Sequence, residues 1–245
     1  MNIIILFESD KQKDGSYCLA DSRAEHIRTI LKSHINDRLE IGILNGSRGS
    51  AVVKSIDSSQ VVLSDIQFKD TNLPKIIVDI IVALPRPQTV KKVLFTSAMM
   101  GVRNIFFIRS NRVEKSFFHS PLLEGENLRE HLIEGLQQGK NTMLPNVFIH
   151  EKFKPFFEDS LQEFYAERNE SPLMLLPDLE AVEMLSKIYN KKEKHLLIAI
   201  GPEGGWVPFE TEMMESLGFQ KFKLGDWTLR VEHALTACLA QIEIM

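Results

Sequence analysis

The chain has 245 residues, 44% of them hydrophobic and 25% charged, with a formal charge of −4, which excludes a disordered or fibrous protein and allows one large domain or two smaller ones. Its longest apolar stretches, Ile3 to Phe7 and Ile80 to Leu84, fall far short of the roughly 20 residues of a membrane-spanning helix, and no basic segment precedes the first, so a cytoplasmic protein with no membrane partner is expected. Two cysteines, Cys18 and Cys238, make neither a disulfide framework nor a Cys-x-x-Cys spacing, so no metal is expected.

The first 70 or so residues read as short strands at Ile3 to Phe7, Arg38 to Leu44, Ser50 to Ile56 and Gln60 to Ile66, separated by turn signals such as Asn45-Gly46 and Asp57-Ser58-Ser59. One helix fits between them, where Ala24, Ile27, Ile30 and Leu31 recur at helical spacing. After the break Thr71-Asn72-Leu73-Pro74 the pattern changes. An apolar strand at Ile76 to Leu84 leads to a helix carrying Val90, Val93, Leu94 and Ala98 on one face, and Gly101 precedes a second strand at Ile105 to Ile108. Strand, helix and strand in so short a span predict a parallel βαβ unit.

The alternation runs on. Ser120 and Pro121 suit the start of a helix lined by Leu128, Leu132 and Leu136 as far as Gly139. Strands are expected at Val147 to His150, Leu173 to Leu176, His195 to Ile200 and Phe219 to Leu224, with helices over Glu180 to Tyr189, Phe209 to Leu217 and from Val231. An α/β fold follows, with a mainly β domain over 1–72 and an α/β domain over 73–245. Basic charge is concentrated: Lys75 to Lys115 holds eight lysines and arginines against two acids, a net of plus six, and leaves minus ten for the remainder.

Two stretches carry the chemistry. In the first, the strand from His195 runs into Gly201-Pro202-Glu203-Gly204-Gly205-Trp206, a turn whose glycines let a ligand approach the backbone. About 20 residues on, Leu224-Gly225-Asp226-Trp227-Thr228-Leu229-Arg230-Val231-Glu232-His233 repeats the order of strand, glycine bend and helix start. Bends at the carboxyl ends of parallel strands are where open α/β sheets hold ligands. Neither is a Gly-x-Gly-x-x-Gly or a Walker turn, which disfavours an α/β nucleotide or dinucleotide binder.

GPEGGW followed by LGDWTLRVEHA resembles the closing signature of the ribosomal small-subunit RNA methyltransferase E family, of the SPOUT class. Across the rest of the chain, LPRPQTVKKVLFTSAMMGVRNIFFIRSNRVEKSFFHSPLL, EGLQQGKNTMLPNV and the N-terminal EHIRTILKSHINDRLEIGILNGSRG are similar to its catalytic opening, its central segment and its PUA-like RNA-binding module. The resemblance implies a trefoil-knotted parallel sheet behind an N-terminal PUA-like β-barrel, and a homodimer that methylates N3 of a uridine in 16S ribosomal RNA of the small ribosomal subunit. The implied donor is S-adenosylmethionine, held by Leu176, Pro177, Ile200, Gly201, Pro202, Glu203, Gly204, Gly205, Leu224, Gly225, Leu229 and Arg230.

Uracil N3 carries a proton and is a poor nucleophile until it leaves. Arg230 is expected to stabilise the developing anion or hold a phosphate, and Glu232 to orient that arginine or accept the proton. RNA contacts are expected from Arg86, Lys91, Arg109 and Arg112 in the basic segment and from Arg23, Arg28 and Lys32 in the first domain. Thr96, Met99, Asn141 and His233 depart from the family pattern, which gives some support to a different reading, a non-catalytic RNA-binding relative.

Overall fold

The computed structural model describes residues 2–69 and 75–245, so the expected boundary at residue 72 lies outside the described residues. Two compact units are present, one of Met1–Leu73 with Ile133–Leu144 and one of Pro74–Leu132 with Pro145–Met245.

The first unit is built on a five-stranded mixed sheet of β1 (Ile4–Leu6), β2 (Tyr17–Leu19), β3 (Arg38–Ile43), β4 (Arg48–Ile56) and β5 (Val61–Phe68), in the order β1-β3-β4-β5-β2. β1 and β3 run parallel and the other pairs antiparallel. Inward residues at alternate positions, Leu39 and Ile41 of β3 with Ala51 and Val53 of β4, meet Ala24 and Ile27 of helix α1 (Ser22–Thr29) in one core. β2 went unread because three residues are too few to show alternation. A segment distant in sequence completes the unit: Thr142 donates from Oγ1 to the Gly46 carbonyl at 2.6 Å, and Asn45 N donates to Thr142 O at 2.7 Å.

The second unit is a six-stranded, wholly parallel sheet of β6 (Ile77–Ala83), β7 (Asn104–Ile108), β8 (Asn146–His150), β9 (Leu173–Pro177), β10 (His195–Ile200) and β11 (Gln220–Phe222). Its order is β11-β9-β10-β6-β7-β8. β6, β7 and β10 are buried almost throughout, as a parallel sheet covered on both faces requires, and so read as continuous apolar runs. Helix α2 (Pro87–Met99) starts on a proline at its first turn, buries Val90, Val93, Leu94 and Ala98, and ends before Gly101 at φ +78°.

Two expectations need correction. Ser120 caps only the short turn Pro121–Leu123, and the long helix α3 is Gly125–Gly139. The helix expected over Glu180 to Tyr189 is the single turn α6 (Leu185–Ile188). The phenylalanine-rich connection is itself helical, with α4 (Phe153–Pro155), a π-turn Phe156–Ser160 and α5 (Leu161–Glu167). Its Phe156, Phe157 and Leu161 pack on Phe106, Leu176 and Leu197 of the sheet. Helices α7 (Pro208–Ser216) and α8 (Val231–Ile244) end the chain. No helix among the described residues is long and apolar enough to cross a membrane.

Candidate functional site

The site lies at the carboxyl edge of the parallel sheet. Leu175 of β9 aligns with Gln220 of β11 on one side and Ile198 of β10 on the other, so two residues later Pro177, Phe222 and Ile200 end their strands at one level. The bends that follow β10 and β11 therefore start side by side across one intervening strand, about 10 Å apart at the usual interstrand spacing. Leu176 and Pro177 end the strand between them, Leu176 buried in the core and Pro177 half-buried.

The first bend is tight. Gly205 sits at φ +73° and its N–H donates to Pro202 O at 2.8 Å. A β-carbon on Gly201 would lie 3.0 Å from Trp206 Nε1, so the indole rests directly on that glycine. Trp206 Nε1 is buried and has no hydrogen-bond partner among the described residues, while its ring packs on Phe153 at 6.1 Å between centroids. Pro202 is buried; Glu203, Gly204 and Gly205 are exposed.

The second bend is open. A β-carbon on Gly225 would meet nothing within 4 Å, and Trp227 and Leu229 stand 82% and 42% exposed, a large apolar surface for a loop tip. Its start is fixed by backbone bonds from Lys223 N to Glu183 O at 2.7 Å and from Asp178 N to Phe222 O at 2.9 Å. Gln241 of α8 donates to Leu224 O at 3.2 Å. The bend thus lies between the segment after β9 and the last helix.

Arg230 occupies the N-cap position of α8, exposed, and its side chain has no hydrogen bond or ion pair among the described residues. Glu232 does not orient it, as the sequence reading had allowed. Glu232 is 7% exposed and pairs instead with Lys92 of α2, Nζ to Oε1 at 3.0 Å. Burial pushes the Glu232 carboxyl upward, but the Lys92 hydrogen bond, backbone donation and nearby positive charge together hold it below the usual glutamate range.

The expected RNA-contact residues fall into three groups. Arg86 follows β6 and caps α2, Arg109 and Arg112 follow β7, and Lys91 is exposed on the first turns of α2. All four therefore stand at or next to the sheet edge that carries the bends. Arg28, half-buried on α1, and exposed Lys32 belong to the first unit. Arg23 is a correction: it is 8% exposed, donates to Asp10, Asp21 and the Ile5 carbonyl, and stacks on Phe7. With its guanidinium so engaged it is a structural ion pair with no face for phosphate.

One polar cluster was missed altogether. Asp79 of β6 is 0% exposed and accepts from Arg103 Nη2 at 2.8 Å, Tyr165 OH at 2.9 Å and Asn104 Nδ2 at 2.9 Å, with His195 Nε2 at 2.7 Å. Glu170 takes the other side of Arg103 at 2.7 Å. Burial alone would raise the Asp79 carboxyl; the hydrogen bonds of His195 and Arg103 outweigh it and hold it below the ordinary aspartate range. Asp79, Glu170 and His195 have the donor types of a cation site, but the guanidinium between them already supplies the positive charge. The cluster lies at the amino ends of β7 and β10, the edge opposite the bends, so Arg103 stands apart from the other cations of the basic segment. An acid inside the run IIVDIIVA was the available signal, since a buried carboxylate must find partners.

The chain is similar to known proteins over nearly its whole length. Residues 71–243 match the family model described as RNA methyltransferase domain. A ribosomal RNA small subunit methyltransferase E of Treponema pallidum is 27% identical, over 98% of this chain and 90% of its own length. A Borreliella burgdorferi protein named ribosomal RNA small subunit methyltransferase E 1 is 28% identical over 89% of this chain and 88% of its own. The crystal structure of a Neisseria gonorrhoeae ribosomal RNA small subunit methyltransferase E bound to S-adenosyl methionine superposes with a TM-score of 0.77 at 18% identity, covering 99% and 97% of the two chains.

Proposed function

The chain belongs to the RNA methyltransferase domain family, and we propose that it transfers a methyl group from S-adenosylmethionine to N3 of a uridine in 16S ribosomal RNA. The observation that carries this reading is the pairing of the bends: Gly201 to Gly205 and Leu224 to Arg230 leave level strand ends on either side of Pro177. The residues present suit that donor. Exposed backbone at Gly204 and Gly205, open space over Gly225 and the unpartnered Trp206 Nε1 offer hydrogen-bonding groups and room for an adenosine-sized ligand. Leu224 and Leu229 add apolar surface.

When bound, the donor supplies an electrophilic methyl on a positively charged sulfur. The chain's own residues must then bring uracil N3 into line and accommodate the charge left when its proton departs. Arg230, unpaired at the start of α8, supplies a rigid fork of donors for the anionic uracil or an adjacent phosphate. Glu232, ionised and held by Lys92, keeps the first turn of α8 against α2 and so fixes Arg230. Arg86, Lys91, Arg109 and Arg112 guide the RNA backbone to this edge.

The finer features of the family belong to the same proposal. β10 is laid between β6 and β9 although it follows both in sequence, and the segment after β11 bonds to the loop after β9, an arrangement in keeping with a threaded C-terminus and a trefoil knot. Residues 1–72, with Ile133–Leu144 folded into the same unit, would act as a PUA-like module positioning RNA, through Arg28 and Lys32, and the rest of 73–245 as the methyltransferase. The exposed Trp227 and Leu229 suit a homodimer contact, and the setting is the cytoplasm, with the small ribosomal subunit as partner.

The test is nucleoside mass spectrometry of undermethylated 16S ribosomal RNA after incubation with protein and S-adenosylmethionine. New 3-methyluridine supports the reading. Donor binding without any methylated nucleoside would favour an RNA-binding relative that has lost turnover.

A further inference from the structure

Arg112 joins the loop after β7 to the first bend. It lies in the loop after β7 and its Nη1 donates to the carbonyl of Gly204, in the middle of the first bend. The side chain also covers that glycine, since a β-carbon there would lie 3.0 Å from Arg112 Cδ. Its loop is held in place independently of the arginine. Asn111 N donates to Glu210 Oε1 at 2.6 Å, and Val207 N to Glu210 Oε2 at 3.0 Å. Glu210 is only 2% exposed, so one buried carboxylate ties the loop after β7 to the chain leaving the bend.

The guanidinium nevertheless remains exposed. Its Nε and Nη2 have no partner among the described residues, and it follows the same strand end as Arg109. A planar guanidinium bonds two acceptors at once through different nitrogens, which a lysine ammonium at the same place does with far less directional control.

We propose that Arg112 couples the two substrates: one nitrogen holds the Gly204 carbonyl and so the shape of the donor turn, while the others receive a phosphate oxygen of the RNA. This rests on the reading of the bend as the donor site and of the basic edge as the RNA face. Bound phosphate withdraws Arg112 from solvent and restrains its side chain, which steadies the turn; a donor-filled turn presents Arg112 already ordered. By linkage each ligand then raises the affinity for the other by the same factor.

The experiment is a set of calorimetric titrations of S-adenosylhomocysteine, the donor without its transferable methyl group, with and without saturating undermethylated 16S ribosomal RNA, on the full chain. The intact protein should bind this analogue about tenfold more tightly when RNA is present, within the usual range of such couplings. Arg112→Ala and Arg112→Lys should each still bind the analogue alone, with the ratio reduced to about one; the lysine variant keeps the charge and much of the RNA affinity, which separates lost coupling from lost attraction. Arg109→Ala should weaken RNA binding and leave the ratio intact. An intact protein with a ratio of one, or arginine variants that retain the full ratio, would overturn the coupling while leaving the donor site standing. An intact protein that did not bind the analogue would instead remove the underlying reading, and the coupling with it.

Discussion

Lys92 and Glu232, 140 residues apart in sequence, meet at 3.0 Å and join α2 to the first turn of α8. The pair places a carboxylate in the first turn of a helix, where the helix dipole favours it. Lys92→Ala leaves the enclosed carboxylate without its partner, and a loss of about 1–3 kcal/mol in urea unfolding is expected. The stability from Glu232 is present above its unfolded-state value and fades as pH falls through the lower native one. A Glu232→Gln variant should therefore show less acid sensitivity than the parent.

Arg230→Ala should separate binding from chemistry. The side chain has no partner to lose, so stability should stay within about 0.5 kcal/mol of the parent, as for an unengaged surface residue. Single-turnover methylation should fall by about 100-fold, the scale of removing one donor aimed at developing charge. A variant that methylated at the parent rate would exclude this role for Arg230.

Asp79→Ala is expected to be the most damaging substitution in the second unit. It leaves Arg103 and Tyr165 facing a void and costs about 3–5 kcal/mol by the usual scale for breaking a buried pair, readable as a drop in melting temperature. Because the native carboxyl is held low, its contribution is intact above the unfolded value of about 4 and is lost as pH falls further. Asp79→Asn should flatten that acid limb of the stability profile.

The two thiols should behave differently. Burial pushes Cys238 up to about 12, so at pH 8 roughly one thiol in ten thousand is ionised, and only the ionised form reacts. Cys18 is half-buried, near Gln60 Oε1 at 3.2 Å. Mass spectrometry after native alkylation should find label on Cys18 and none on Cys238 until the protein is unfolded.

The parallel sheet was legible because strands such as Ile77–Ala83 and His195–Ile200 are apolar on both faces and sit between helix-period segments. The paired bends were legible because glycine and proline punctuate the strand ends. Side-chain partners were not. Arg23 and Arg112 are both arginines in a polar loop or helix start, yet Arg23 is buried against Asp21 and Asp10, two and 13 residues away, while Arg112 lies exposed on Gly204, 92 residues away. Neighbours brought in from 92 or 140 residues away decide the roles of Arg112 and Lys92, and the one local signal of the buried cluster, an acid at Asp79 in an apolar strand, went unread. The helix over Phe153–Glu167 escaped for a related reason: its phenylalanines bury several faces at once and blur the helical period.

Calorimetric titration of S-adenosylmethionine into the parent and Gly225→Ala proteins asks whether the bends at Gly201 to Gly205 and Leu224 to Arg230 form one cradle for it. No neighbour stands within 4 Å of the added β-carbon, so the variant should fold with unchanged stability. The account predicts saturable binding to the parent and at least tenfold weaker binding to the variant, about 1.4 kcal/mol by the usual conversion. Equal affinities would place the donor somewhere other than between the two bends and contradict the account.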